Sequence, residues 1–130
     1  MRSVAPVLIV EDDAVLSRTV CDALIDEGYV VLAVSTAEAA RSMLQRSRPS
    51  VLVLDLTLPD CFGGDLLAEL AETADPPPTV ILSTFHLAAM IANRYNVELV
   101  SKPFEMDALL AAVRRAQDQQ LRPALGVVSG

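Results

Sequence analysis

Four places in the chain carry residue types able to do chemistry, and each closes an apolar run. Glu11, Asp12 and Asp13 follow Val7-Leu8-Ile9-Val10, Asp55 follows Val51-Leu52-Val53-Leu54, Ser83 follows Val80-Ile81-Leu82, and Lys102 comes just after the run from Val97 to Val100. Gathered in one crevice, the carboxylates of Glu11, Asp12 and Asp55 would repel one another, and one would be pushed toward protonation unless a cation compensated. A hard divalent cation meets that need, and Mg²⁺ typically takes one or two carboxylates, keeps several waters and completes its shell with phosphate oxygens. Lys102 cannot ligate a metal, but it can pair with Asp55 or with an anion attached to it. Ser83 can donate a hydrogen bond to a phosphoryl oxygen. Metal, ammonium and hydroxyl around one carboxylate suit phosphoryl transfer, which depends on position and charge neutralisation. Asp55 would then be the nucleophile and become an acyl phosphate.

That chemistry requires a scaffold that delivers strand ends to one place. The runs at Val7, Val51 and Val80 are apolar without interruption, as in strands buried on both faces of a parallel sheet. Between them, helical spacing recurs. Ala14 to Glu27 carries Leu16, Val20, Ala23 and Leu24 on one face and stops at Gly28, after which Tyr29 to Val34 reads as the second strand. Ser35-Thr36-Ala37-Glu38 has a capping-box pattern, with Ser35 as the cap of a helix carrying Ala40, Met43 and Leu44 inward. A third helix from about Gly64 carries Leu66, Leu67 and Leu70. A short fourth carries Leu87, Met90 and Ile91, and a fifth carries Met106, Leu109, Leu110 and Val113. Asp75-Pro76-Pro77-Pro78 is a stiff connector rather than a boundary, because a strand starts at once.

Five β–α units in strict alternation define an α/β domain, a parallel sheet with helices on both faces and right-handed crossovers. In a doubly wound order 2-1-3-4-5, ligands bind at the carboxyl ends of strands, at the switch point between strands one and three. The second strand then lies at the edge, which explains why it ends in a mere cap. The domain occupies residues 1–118, and residues 119–130 have no pattern, as a frayed tail or the start of a linker.

Composition narrows the class. With 130 residues, 52% hydrophobic and 21% charged, the chain is one globular domain with a full core. No apolar run approaches a membrane span, and Met1 to Pro6 lacks a signal-peptide core, so a cytoplasmic location is expected. Cys21 and Cys61 fit no metal spacing and read as free buried thiols. A net charge of −7 argues against direct nucleic-acid binding. The basic inventory is nine arginines and one lysine, so Lys102 stands out as a placed ammonium.

Taken singly, each site residue has a plainer explanation: Glu11 and Asp12 as first-turn acids, Asp55 as a turn former, Ser83 as a strand-end hydroxyl, Lys102 as a loop residue. Their joint fall at the matching ends of four strands is what the plain explanation does not cover. His86 has no evident partner and reads as a surface or half-buried residue.

Over roughly residues 5 to 118 the chain closely resembles the receiver domain of two-component response regulators. The matching residues are Val10-Glu11-Asp12-Asp13, Asp55-Leu56-Thr57-Leu58-Pro59-Asp60 with Gly63, Ser83, and Lys102-Pro103-Phe104. The resemblance implies a flavodoxin-like fold, and phosphorylation of Asp55 by a histidine kinase or phosphotransfer protein. It implies that Asp12, Asp55 and the backbone carbonyl of Thr57 bind Mg²⁺, that Glu11 acts through water, and that Ser83 and Lys102 hold the phosphoryl oxygens. It leaves Asp13 to cap the first helix and makes the Lys102-Pro103 bond cis. It also implies a switch rather than an enzyme acting on a separate substrate, an output domain or protein downstream, and a homodimer as one mode of assembly.

Three departures from the family pattern stand out, two on the output side and one, Thr84, bearing on access to Asp55. Leu99 stands where the family has Tyr or Phe, so an aromatic swing cannot occur there in its usual form. Eighteen residues separate Ser83 from Lys102, fewer than the family norm, with Asn96-Val97 in place of Gly-Ala. Thr84 stands where a very small residue is typical. Two alternatives follow: a phosphorylation-independent binding module of the same fold, and a haloacid-dehalogenase-type phosphatase. The latter wants a second acid two residues after the nucleophile, where this chain has Thr57.

Overall fold

The structure, a computed structural model, describes residues 5–129, with the side chains of the last helix described to residue 119. The expected absence of a signal-peptide core concerns a stretch whose first residues, Met1 to Val4, lie outside the described residues. The elements alternate: β1 Val7–Val10, α1 Ala14–Asp26, β2 Val31–Val34, α2 Ala37–Arg46, β3 Val51–Asp55, α3 Gly63–Ala71, β4 Thr79–Ser83, α4 Ala88–Tyr95, β5 Glu98–Ser101 and α5 Met106–Ser129. All strand pairs are parallel, in the order β2-β1-β3-β4-β5. The doubly wound sheet expected from the strand pattern is therefore present.

The three central strands are buried along their whole length because nothing in the apolar runs asks for water. Their period of two splits the core into two layers. Val7, Ile9, Val51, Val53, Val80 and Leu82 face α1 and α5, packing on Val20, Leu24, Leu109 and Val113. Leu8, Val10, Leu52, Leu54 and Ile81 face the other way, onto Ala37, Ala40, Leu66, Leu67, Ala88 and Ala92. Asp13 caps α1, its carboxylate accepting from the Leu16 amide at 3.1 Å, as the resemblance implied. Asn96 ends α4 in the left-handed region, at φ 54°. No helix among the described residues is long and apolar enough to cross a membrane.

Several expectations need correction. In α4 the inward residues are Ala88 and Ala92, while Leu87 and Met90 are 42% and 67% exposed. The helix is short, and its small residues face the sheet so that its backbone lies close; Ile91 packs half-buried on the same core layer as expected, while Leu87 and Met90 point outward. Strand β2 starts at Val31 rather than Tyr29, because the Tyr29 amide donates to the Leu24 carbonyl at 3.1 Å in the turn that closes α1; its hydroxyl donates to Gln117 Oε1 on α5 at 3.1 Å. Ser35 does not cap α2; Thr36 does, accepting from the Ala39 amide at 3.1 Å. Backbone helix continues through Ser129, across the segment read as patternless. Both cysteines are free but only half-buried.

Replacing Leu54 by Ala should cost about 2–5 kcal/mol in urea unfolding, as for a fully buried leucine. Met90→Ala should change stability by no more than about 0.5 kcal/mol, as for an exposed side chain. Equal losses would mean that α4 packs through Met90.

Candidate functional site: an acidic crevice at the carboxyl edge of the sheet

Sheet register brings the polar residues together. Val10 pairs with Leu54, so Glu11 comes alongside Asp55; Asp55 pairs with Leu82, so Ser83 stands one step further; Ser83 pairs with Ser101, so Lys102 follows. Residues 91 positions apart in sequence meet here: Lys102 Nζ donates to Glu11 Oε1 at 2.7 Å and to Asp55 Oδ2 at 3.3 Å. Glu11 and Asp55 are 3% and 4% exposed, so neither charge is balanced by bulk water. Asp12 is exposed, and its carboxylate completes a trio whose oxygens lie within 4.8 Å of one another. Burial by itself would lower the Lys102 pKa, but the Glu11 hydrogen bond and the charge of Asp55 outweigh it and leave the ammonium raised.

The remaining carboxylate oxygens are held by backbone. Asp55 Oδ1 accepts from the Thr57 amide at 3.0 Å, and Glu11 Oε2 accepts from the Asp13 amide at 3.1 Å. Thr57 itself is exposed. The Lys102 amide donates to the Ser83 carbonyl at 2.9 Å, and the Lys102-Pro103 peptide is cis. Ser83 is 2% exposed, and its Oγ accepts from the Phe85 amide at 2.8 Å. His86 is exposed, with its ring centroid 5.2 Å from that of Phe85.

Behind Asp55 the chain folds back tightly. The Gly63 amide donates to the Leu56 carbonyl at 2.6 Å, and Thr57 bridges to Phe62. Gly63 is required by close approach: a Cβ there would sit 2.5 Å from the Asp55 carbonyl oxygen and 2.7 Å from Leu56 Cα. Asp60 reaches across to α2. Its two oxygens accept from the Ala37 and Glu38 amides at 2.9 and 3.0 Å, and these hydrogen bonds hold its pKa below the usual carboxylate value. A carboxylate at a helix N-terminus is favourable for orphan amides and dipole alike. No local pattern announces it, because the partners lie 22 and 23 residues away in the chain.

Three carboxylates and one ammonium leave two uncompensated negative charges, and the donors are all hard oxygens. That donor set fits a divalent cation of the Mg²⁺ class. A larger hollow of about 1040 Å³ lies at the opposite edge of the sheet, near Arg48, Thr79, Arg94 and Tyr95. Arg48 there is already tied to Asp75 at 3.1 Å, and no comparable grouping of acids and lysine faces it.

A parallel sheet of this order, with acids, hydroxyl and lysine at its carboxyl edge, is a doubly wound α/β domain with its polar crevice at the switch point of the sheet. The chain belongs to the response regulator receiver domain family, whose model matches residues 7–114. It is 38% identical over 115 residues to the response regulator protein FleR of Pseudomonas aeruginosa, covering 85% of this chain and 24% of that one. It is 33% identical over 110 residues to the transcriptional regulatory protein KdpE of Staphylococcus aureus, covering 83% and 48%. Among solved structures, the CheY-like receiver domain protein of Methanospirillum hungatei superposes with a TM-score of 0.84 at 21% identity, covering 93% of this chain and 99% of that one. The chain thus spans half the length or less of these curated relatives.

Gly63→Ala should destabilise by about 1–3 kcal/mol, since the new methyl meets backbone that cannot yield. Asp60 has a lowered folded-state pKa, so its contribution is present above the unfolded value of 3.8 and is lost as pH falls through the folded value. Asp60→Asn should therefore flatten the acid limb of stability against pH below about 4. Circular dichroism melts across that range read the difference, and an unchanged limb would remove Asp60 from the account.

Proposed function

We propose that this domain is a phosphorylation-dependent switch in which Asp55 is the phosphoacceptor. The observation that carries it is the single lysine of the chain, held on two buried carboxylates at adjacent strand ends with a third beside them. A pair built only for stability gains little from burial, since the desolvation of both charges offsets their attraction. A trio of acids left two charges short of neutral is better explained as a place for cation and phosphate.

In this reading an Asp55 carboxylate oxygen attacks phosphorus of a phosphohistidine on a histidine kinase or phosphotransfer protein. The P–N bond breaks, and the imidazole leaves with its electron pair. Lys102 turns from Asp55 toward a phosphoryl oxygen while staying anchored on Glu11. Ser83 donates its hydroxyl hydrogen to a second oxygen. Asp12, Asp55 and the Thr57 backbone carbonyl would hold Mg²⁺, with Glu11 acting through water, and the ion would supply positive charge at the site. The signal passes to an output domain or protein through the α4–β5 surface.

Incubation with Mg²⁺ and acetyl phosphate should add one phosphoryl group by intact mass, and Asp55→Asn should abolish the gain. No gain under any donor would sink the switch and favour a module that binds without phosphorylation. A ligand that binds only the folded state raises its melting midpoint. Mg²⁺ alone should therefore raise that midpoint in the wild type and do so less in Asp12→Asn; equal rises would remove Asp12 from the ion site.

A further inference from the structure

Phe62 breaks a local rule. It is the N-cap residue of α3, where Ser, Thr, Asp or Asn would satisfy a free amide, and it makes no side-chain cap hydrogen bond. Its ring instead lies over Gly64, in space that a Cβ at Gly64 would occupy. Its edge-to-face partner is Phe85, with centroids 5.4 Å apart and planes at 72°. A position that forgoes a favourable local choice is a place to look for a functional constraint.

Each ring is wired to one side of the site. Phe62 belongs to the closed loop behind Asp55, through its bridge to Thr57. Phe85 belongs to the segment between β4 and α4, and both ends of its peptide are engaged. Its amide donates to Ser83 Oγ at 2.8 Å, and its carbonyl accepts from the Ala88 amide at 3.0 Å, in the first turn of α4. Ser83 accepts that bond but gives none to any described residue, so its hydroxyl hydrogen is unengaged. Helix α4 has no side-chain cap, and its fully buried contacts with the core are two small side chains, Ala88 and Ala92, with Ile91 and Tyr95 half-buried beside them.

We propose that the Phe62–Phe85 pair is the restraint that holds α4 in its unphosphorylated position, released when Ser83 makes the phosphoryl contact described above. The inference rests on Asp55 being the phosphoacceptor. When Ser83 donates to a phosphoryl oxygen, its Oγ moves toward Asp55 and draws the Phe85 amide with it. Phe62, 39% exposed, is held at its backbone by the bridge to Thr57 with its ring over Gly64, so the edge-to-face contact gives way and the Phe85 carbonyl carries the start of α4. Phe62 is thus a positioning residue that acts through Phe85. An aromatic pair of this kind is worth a factor of about two- to tenfold in an equilibrium, enough to bias two packings without locking either.

The test follows the Ala88 amide and the Met90 methyl by NMR, before and after treatment with acetyl phosphate and Mg²⁺. Both signals should move in the wild type. Phe62→Ser restores a cap while removing the ring, so it should unfold at no lower urea than Phe62→Ala and still gain one phosphoryl group. Its unphosphorylated signals should start displaced toward the phosphorylated positions, by an equilibrium change of about two- to tenfold, and Phe62→Tyr should return them to the wild-type positions. The proposal is overturned if Phe62→Ser signals coincide with wild type in both states, or if phosphorylation of the wild type leaves Ala88 and Met90 unmoved. Failure of the wild type to take up a phosphoryl group would instead bring down the phosphoacceptor reading, and this inference with it.

Discussion

The structure depends on one ammonium placed between two buried carboxylates. Burying Glu11 and Asp55 unpaired would cost several kcal/mol per charge, on the scale of the roughly 5–15 kcal/mol that keeps a domain folded. Lys102 makes the arrangement tolerable by touching both, at 2.7 and 3.3 Å. Arginine would not serve equally well there. A guanidinium is a broad planar fork, whereas an ammonium is a compact charge on a flexible stem that can change partners. The arginines in ion pairs among the described residues work elsewhere, joining outer elements such as Arg41 to Glu69 and Arg115 to Glu98. The nearer contact to Glu11 also gives that residue a role the sequence does not suggest: it anchors the lysine.

Around that charge cluster the two walls differ in stiffness. On the β3 side, Gly63 lies against the Asp55 backbone, Asp60 caps α2, and Arg41 ties α2 to α3 through a 2.8 Å pair with Glu69. Glu69 holds the Arg41 pKa above its usual value, as a close opposite charge does. On the β4 side, the next helix meets the sheet through two alanines with Ile91 and Tyr95 beside them, and leaves Leu87 and Met90 in water. One wall is tied by ion pairs and caps between its elements, the other by apolar packing and backbone hydrogen bonds. In the proposed switch the second wall is the one that moves.

The features legible in the sequence are those that local chemistry dictates. Uninterrupted apolar runs announce β1, β3 and β4, because a strand covered on both faces has no reason to alternate. Their polar ends announce the crevice, because register in a parallel sheet aligns equivalent positions. What escaped was decided by distant parts of the chain. Nothing near Asp60 in the sequence points to its cap on α2, because that helix lies more than twenty residues upstream. Tyr29 gives its amide to the turn that closes α1 and its hydroxyl to a partner on α5 that lies 88 residues away. In α4, Leu87, Met90 and Ile91 suggested an inward face, but close approach to the sheet selected alanine and left only Ile91 of the three packed on the core. Phe62 carried a visible signal that went unread: a phenylalanine immediately before a helical Gly-Gly, where a polar cap belongs.

In the proposed switch, charge balance gives Ser83 its place. Three carboxylates, one ammonium and a divalent ion sum to zero, so the crevice with its ion present is electrically quiet. A phosphoryl group carries about −1.5 to −2, while the carboxylate it esterifies carried −1, so phosphorylation leaves up to roughly one further negative charge inside. In a chain whose net charge is already −7, distant charges offer no relief, since screening limits their reach to about 8 Å at physiological salt. The compensation has to come from donors at the site. Lys102 is already counted in the balance, and the Thr57 and Asp13 amides are already engaged by Asp55 and Glu11. The Ser83 hydroxyl hydrogen, buried and without an acceptor among the described residues, is the donor still open. The electrostatics of the acceptor thus call on the one residue whose oxygen is bonded to the segment leading into α4.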